Sequence, residues 1–280
     1  MTQQQTASTP TNIFISFLLP FPLLPYPELH PRFIRRIVED SIVHLEKMKS
    51  SATYEVLLIP YGEDVEKASM LMEEAKRLAK ENNGVTLLPA HVSRLRGAAI
   101  LEAFSLSQGH LILIGHSLQP CDFSFFVEAL PLLNSGVDLV RANRRLPQTR
   151  FRIPVRLLPY VYRRHRLGLR FNRLVKRFLP ITTTDTHSGN LCVTRRLAVE
   201  AFARRPASDF LIDLEISLTA IAHGYKDQDL PVKLHLDHEK NIRRMLIETI
   251  DIMKGLPIMA YRYRSGYYGP VDESAQPKKN

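Results

Sequence analysis

The sequence predicts an α/β fold: a mostly parallel sheet with helices on both faces. Two observations carry this. Short, apolar, largely β-branched or aromatic runs recur through the first half of the chain, apolar at successive rather than alternate positions, as strands covered on both faces are. Between them lie longer stretches in which apolar residues return every three or four positions, the mark of helices with one buried face.

The first run, Ile13-Phe14-Ile15-Ser16-Phe17-Leu18-Leu19, is a strand that Pro20 should stop. Glu55–Ile59, Val85–Leu88 and His110–Ile114 follow as buried strands, ended by Pro60, Pro89 and Gly115. The intervening segments read as helices over Arg32–Lys49, with Phe33, Ile37, Leu45 and Met48 near one face, then Asp64–Glu81 and Ser93–Leu106. After Gly136-Val137-Asp138-Leu139-Val140 the alternation fails. Residues 141–180 show no strand pattern and are interrupted by Pro147, Pro154, Pro159 and Pro180. Their later part is amphipathic, because Phe171, Leu174, Val175 and Phe178 stand at i, i+3, i+4 and i+7. Regular texture returns with a strand at Gly189–Val193, helices near Arg195–Ala203 and Asp213–Ala222, and a strand near Asp229–Leu234. The last ten residues are polar and should fray.

Composition bounds the function. The chain has 280 residues, 45% hydrophobic and 24% charged, long enough for a substantial core and too ordinary for disorder. Lys and Arg exceed Asp and Glu by ten, yet 141–180 alone holds thirteen cations and no acid, leaving the other 240 residues at −3. Such a block marks one local anionic partner rather than general solubility. No nucleic-acid-binding motif accompanies it, so nucleic acid is not expected. Apolar Leu157, Leu158, Phe171, Leu174 and Phe178 interleave with the arginines and suit an anionic membrane surface. The apolar stretch from Ile13 to Pro25 is too short for a bilayer span and has no basic residue before it, so neither signal peptide nor transmembrane segment is expected. Two cysteines, Cys121 and Cys192, make neither a disulfide framework nor a zinc site and read as small buried apolar residues. A reducing, cytoplasmic location with peripheral membrane attachment follows.

The order of motifs in the second half resembles family-2 glycosyltransferases of the GT-A fold, closest in style to dolichol-phosphate mannose and glucose synthases. Thr184-Asp185-Thr186-His187-Ser188-Gly189-Asn190 followed by Arg195-Arg196 is similar to that family's threonine-aspartate-x-x-serine-glycine segment. Phe210-Leu211-Ile212-Asp213-Leu214-Glu215 and Gly224-Tyr225-Lys226 through Leu230-Pro231-Val232 resemble its acidic helix and closing strand. Gly97, Gly109 and Asp138-Leu139-Val140 followed by Arg144 also fall where such a synthase has them. The resemblance implies one GT-A-like domain over 12–234: a nucleotide-sugar half (12–140), a basic amphipathic helical insertion (141–180) and an acceptor half (181–234), followed by a C-terminal helix and tail (235–280).

It also implies roles. Asp185 and Glu215 would be catalytic. Pro20, Tyr61, Gly62, Arg96, Gly97, His116 and Ser117 would face a nucleotide-sugar donor. Arg144, Ser188, Gly189 and Asp213 would hold a polyprenyl-phosphate or other phosphate-bearing acceptor. The first half departs from the family where donor chemistry sits. The second strand ends in Pro60-Tyr61-Gly62 in place of paired aspartates, and the fourth in Gly115-His116-Ser117 in place of aspartate-x-aspartate. Imidazole and hydroxyl make a poor site for Mg2+, and a doubtful one for Mn2+. No histidine stands at ligand spacing from another near these motifs, so no metal ligand is assigned. Two alternatives stand: a transferase in which Arg94, Arg96 and His116 replace the metal's charge, or a non-catalytic relative that binds a lipid or protein.

Overall fold

A computed structural model describes residues 13–23, 30–48, 52–62, 68–90, 96–118, 120–203, 211–235 and 242–270. Arg94, Phe210, the starts of the second and third expected helices and the last ten residues lie outside them. In chain order the elements are β1 (Ile13–Pro22), α1 (Pro31–Glu46), β2 (Ala52–Tyr61), α2 (Ser69–Glu81), β3 (Val85–Leu87), α3 (Arg96–Leu106), β4 (Leu111–Ile114), α4 (Ser124–Asn134), β5 (Leu139–Asn143), β6 (Arg150–Arg152), α5 (Leu158–Phe178), β7 (Leu191–Thr194), α6 (Arg195–Phe202), α7 (Ile212–Ala222), β8 (Asp227–Pro231), β9 (Lys233–His235) and α8 (Ile242–Arg264). The main sheet has the order β3-β2-β1-β4-β7-β5-β8, parallel except for β7.

Both faces of this sheet are covered, as the continuous apolar runs require. On one face Phe17, Leu19 and Phe21 of β1 pack with α1, α2 and α4. On the other Leu18, Leu57 and Ile112 pack with α3, α6 and α7. Helices α5 and α8 form a further layer against the outer side of α7, through Val175, Leu214, Leu218, Leu256 and Met259. Helix α7 is therefore buried all round, which explains why its sequence shows no polar stripe.

Several expectations are corrected. β1 does not stop at Pro20 but runs to Pro22. The carbonyls of Phe14 and Leu18 accept from β4 and its flanks (His110 N–H and Gly115 N–H), so even-numbered residues of β1 face β4. Pro20 and Pro22 thus turn their donorless nitrogens toward a neighbour that has already ended at Ile114. Pro60 is placed alike: Leu58 faces β3, so Pro60 faces the space beyond the end of β3 at Leu87. A proline is tolerated where the ladder has no partner to satisfy. Within the basic block, β6 pairs parallel with β9 as a two-stranded sheet, where the sequence showed no strand. Pro159 does not break a helix either. It sits in the first turn of α5, where its ring costs nothing. Helix α4 has a blurred periodic signature, because Val127 and Leu132 are apolar beside its buried stripe of Phe125, Phe126, Ala129, Leu130 and Leu133, and it carries Pro131 internally. Gly109 has a definite job: a Cβ there would overlap the backbone nitrogen of Ser16 as the chain enters β4.

Candidate functional site

The carboxyl ends of β4 and β5 and the amino end of the antiparallel β7 meet the outer layer at a cavity of about 610 Å3. Its polar lining includes Arg144, Arg145, Arg164 and Arg170 with His116, His165, His187 and His235, and Asp185 is the one carboxylate among the described residues that line it. Phe171 and Leu174 of α5, Ile252 and Met253 of α8, and Phe151 and Leu234 of the small sheet supply an apolar wall. A second cavity of about 340 Å3 between α1 and the loop before α4 shares His116 and His235 with the first.

The loop from Thr183 to Asn190 is held by a chain of buried polar contacts. Arg144 donates to Asp185 through its backbone N–H (2.9 Å), Nε (2.7 Å) and Nη2 (2.7 Å), and also to the carbonyl of His187. Burial alone would raise the Asp185 pKa, but the charge and hydrogen bonds of Arg144, helped by Arg145, hold it at about 2. Behind this pair, Asp229 accepts from Arg141 Nε (2.9 Å), Asn143 Nδ2 (2.8 Å) and Thr183 Oγ1 (2.6 Å). By sequence Asp229 is only the start of a strand. Its signal was the stretch Asp227-Gln228-Asp229, whose two acids both reach Arg141 on the neighbouring strand.

Gly189 is the closest approach in the site. Its φ is +77°, a region that favours glycine, and a Cβ there would overlap the His116 ring. Its N–H donates to Asp213 Oδ2 at 2.7 Å, and its carbonyl accepts from Arg96 Nη2 at 2.6 Å. Arg96 also reaches Gly115 O (3.3 Å) and Asp213 Oδ1 (3.4 Å), so this buried guanidinium ties the end of β4, the Gly189 turn and α7 together. The His116 N–H donates to Asn190 Oδ1 (3.0 Å), and His116 Nδ1 accepts from Leu118 N–H (3.2 Å). That bond places the proton of the neutral ring on Nε2.

The expected residues thus separate into groups. Asp185, Arg144 and His116 line the larger cavity, with Gly189, Asp213 and Ser188 just behind it. Of the other expected donor contacts, Pro20, Tyr61, Arg96, Gly97 and Ser117 are buried and Gly62 is half-buried. Neither cavity includes any of these six in its lining. Tyr61 packs with Leu88, Ala99 and Ile100 beneath α3. Glu215 occupies the face of α7 turned to α8, 3.9 Å from Arg262 and beside Tyr268, whose hydroxyl is pushed up by burial and by that carboxylate. Neither cavity includes this residue, expected to be catalytic, in its lining. Of the five apolar residues expected to dip into an interface, Leu157 is buried and Phe171 and Leu174 are half-buried, whereas Leu158 and Phe178 are exposed. Cys192 lies in the core and Cys121 is half-buried; both are free, with thiols pushed up by burial.

No protein-family model matches the sequence, and no curated protein matches it. Solved structures do share its architecture. Glucosyl-3-phosphoglycerate synthase from Mycobacterium tuberculosis, in complex with Mn2+, UDP-glucose and phosphoglyceric acid, is similar at 16% identity and a TM-score of 0.53, over 89% of this chain and 80% of that one. The mannosyltransferase PcManGT from Pyrobaculum calidifontis, with GDP-Man and Mn2+, gives 14% identity and a TM-score of 0.57 over 93% and 68%. Mannosyl-3-phosphoglycerate synthase from Rubrobacter xylanophilus gives 14% and 0.54 over 95% and 79%. At such identities the likeness is one of fold, and the fold is that of GT-A glycosyltransferases.

The Mn2+ of the first two structures has no matching donor set among the described residues. No three His, Cys, Asp or Glu side chains converge as ligands. The end of β4 offers a histidine whose Nδ1 is engaged and a buried serine. The nearby carboxylates of Asp185 and Asp213 are spent on Arg144, Arg96 and the Gly189 N–H.

Proposed function

We propose that this GT-A-fold chain transfers a sugar from a nucleotide-sugar to a phosphate-bearing acceptor seated in the larger cavity, without a divalent cation. The observation that carries this reading is the lining itself: among the described residues, four arginines and four histidines face a single carboxylate already neutralised by Arg144. A cavity so charged attracts an anion, and a phosphate oxygen is an ionised nucleophile that needs orientation more than a base. Asp185 and Arg144 act as one unit that positions the Thr183–Asn190 loop. His116, with its Nε2 proton, stands where the leaving diphosphate's charge would grow.

The apolar wall favours an acceptor with a hydrocarbon body, as in a polyprenyl phosphate, over a small sugar acid. The outer surface of α5 supports the same reading. Arg163, Arg166, Arg170, Arg173, Lys176 and Arg177 are exposed there beside exposed Leu158, Tyr162, Leu167 and Phe178, with no acid in the helix. No helix among the described residues is long and apolar enough to cross a membrane, so such an acceptor would be met by surface attachment, each close cation adding on the order of 1 kcal/mol. The protein is expected to sediment with vesicles containing phosphatidylglycerol, to be released by 0.5 M salt (roughly a 4 Å screening length), and to ignore phosphatidylcholine vesicles. Equal binding to both would remove the electrostatic argument.

The deciding experiment is calorimetry with a panel of sugar nucleotides, with Mn2+, with Mg2+ and with chelator. Saturable binding that survives chelator, followed by acceptor-dependent release of nucleoside diphosphate, is the expected result. A second reading is favoured by the burial of the other expected donor contacts: a non-catalytic relative that keeps the acceptor cavity. On that reading no nucleotide binds under any condition, while phosphate-bearing amphiphiles still do.

A further inference from the structure

Arg144 and Arg145 are adjacent but have different fates. Arg144 is fully engaged by Asp185 and the His187 carbonyl. The Arg145 guanidinium has no hydrogen bond or ion pair among the described residues, although it is half-buried and lines the larger cavity. Its backbone is fixed by an N–H bond to Asn143 Oδ1 (2.9 Å), and Asn143 is held in turn by Thr184 and Asp229. A guanidinium carried there with no hydrogen-bonded acid among the described residues, and with Asp185, whose charge it feels, already bonded to Arg144, is poised for an anion that arrives from outside. Gly168 lies at the middle of α5, in the lining of the same cavity. A Cβ at that position would lie 3.4 Å from Arg145 Nη2, the one atom near it. Glycine inside a helix is destabilising relative to alanine, so its presence calls for a reason.

We propose that Arg145, rather than Arg144, is the anion anchor of the cavity, and that Gly168 opens the wall of α5 so that the Arg145 guanidinium can lie across it and present its fork to a phosphate head group. This rests on the reading of the cavity as a phosphate-acceptor site. The planar fork pairs two phosphate oxygens at once. The head group would then sit between Arg145 and the exposed Arg170 at the rim, with the apolar body against Phe171, Leu174 and Met253.

The test is calorimetric titration of farnesyl phosphate and of farnesol into the full-length protein and into Arg145→Gln, Arg145→Lys and Gly168→Leu. Arg145→Gln should weaken farnesyl phosphate by about tenfold or more, the loss of a charged hydrogen-bond pair, and leave farnesol unchanged. Arg145→Lys should recover part of the loss, since a point charge replaces the fork. Gly168→Leu should keep or raise the thermal midpoint, because leucine is the better helix former, and yet weaken farnesyl phosphate as Arg145→Gln does. Wild-type affinity for farnesyl phosphate in both Arg145→Gln and Gly168→Leu would overturn the anchor while leaving the cavity reading intact. A wild-type protein that prefers farnesyl phosphate no more than farnesol would overturn both. Should Arg145→Gln fail to fold, Arg145→Lys and Gly168→Leu decide the matter by the same readout.

Discussion

Alanine at Gly189 is expected to destabilise the protein by about 3 kcal/mol, the sum of a left-handed conformation forced on an L residue and an overpacked contact. The φ of +77° supplies the first part, and the overlap of the new Cβ with the His116 ring supplies the second. Neither partner has an easy retreat. His116 is fixed by Leu118 and Asn190, and the glycine's own N–H and carbonyl are held by Asp213 and Arg96. Ligand binding in both cavities should fall together, because His116 borders both. Urea unfolding checks the first claim and calorimetry the second. A variant with a wild-type urea midpoint would show that the turn is slack, and the account of the site as a braced structure would fall.

Acid should unfold the protein in part through Asp185. Burial pushes its pKa up, but Arg144 and Arg145 outweigh burial and bring it to about 2 in the folded chain, against about 3.9 when unfolded. A depressed folded-state pKa means that the unfolded chain binds the proton more readily. The stabilisation, about 3 kcal/mol, is complete above the unfolded value and is lost as pH falls from about 4 to about 2. Arg144 stays charged throughout and adds no window of its own. Asp185→Asn should therefore lose about 3 kcal/mol at pH 7 by leaving Arg144 without its charge partner. Its stability should also decline less steeply than that of the wild type below pH 4. Parallel acid curves for the two proteins would mean that the pair contributes nothing to folding. Catalytic turnover, where found, should fall in this variant through loss of the Thr183–Asn190 loop geometry.

What the residues disclosed, and what they withheld, follows from the range of the forces involved. The sheet was legible because burial on two faces leaves an unbroken apolar run, as in Leu111-Ile112-Leu113-Ile114, and the parallel α/β order follows from its repetition. The Asp185 loop and Gly189 were legible as a spaced motif. Helix α4 was hidden because Val127 and Leu132 are apolar beside its buried stripe and an internal proline argues against a helix. β6 was hidden because a three-residue strand of Arg150-Phe151-Arg152, all exposed, has no local signature and exists only through its pairing with β9. The commitment of Arg96 to Gly115, Gly189 and Asp213 could not be read either, since its partners lie 19, 93 and 117 residues away. The same holds for the contrast between Arg144 and Arg145, which depends on which of two neighbours meets Asp185.

Pro20, Pro22 and Pro60 bear on how far the crevice reaches. A strand lengthens by borrowing donors and acceptors from its neighbour, and these three residues withhold the donor at each place where β4 or β3 would otherwise be drawn onward. Beyond the Gly115 N–H, which still donates to the Leu18 carbonyl, the segment His116-Ser117 is consequently excluded from the ladder by the chain beside it, whatever its own side chains prefer. Its sequence is thereby uncoupled from strand propensity. Acids, imidazoles or hydroxyls can be exchanged there without risk of the segment zipping into the sheet, and the rim of the site becomes a position where chemistry can drift while the architecture beneath it stays put.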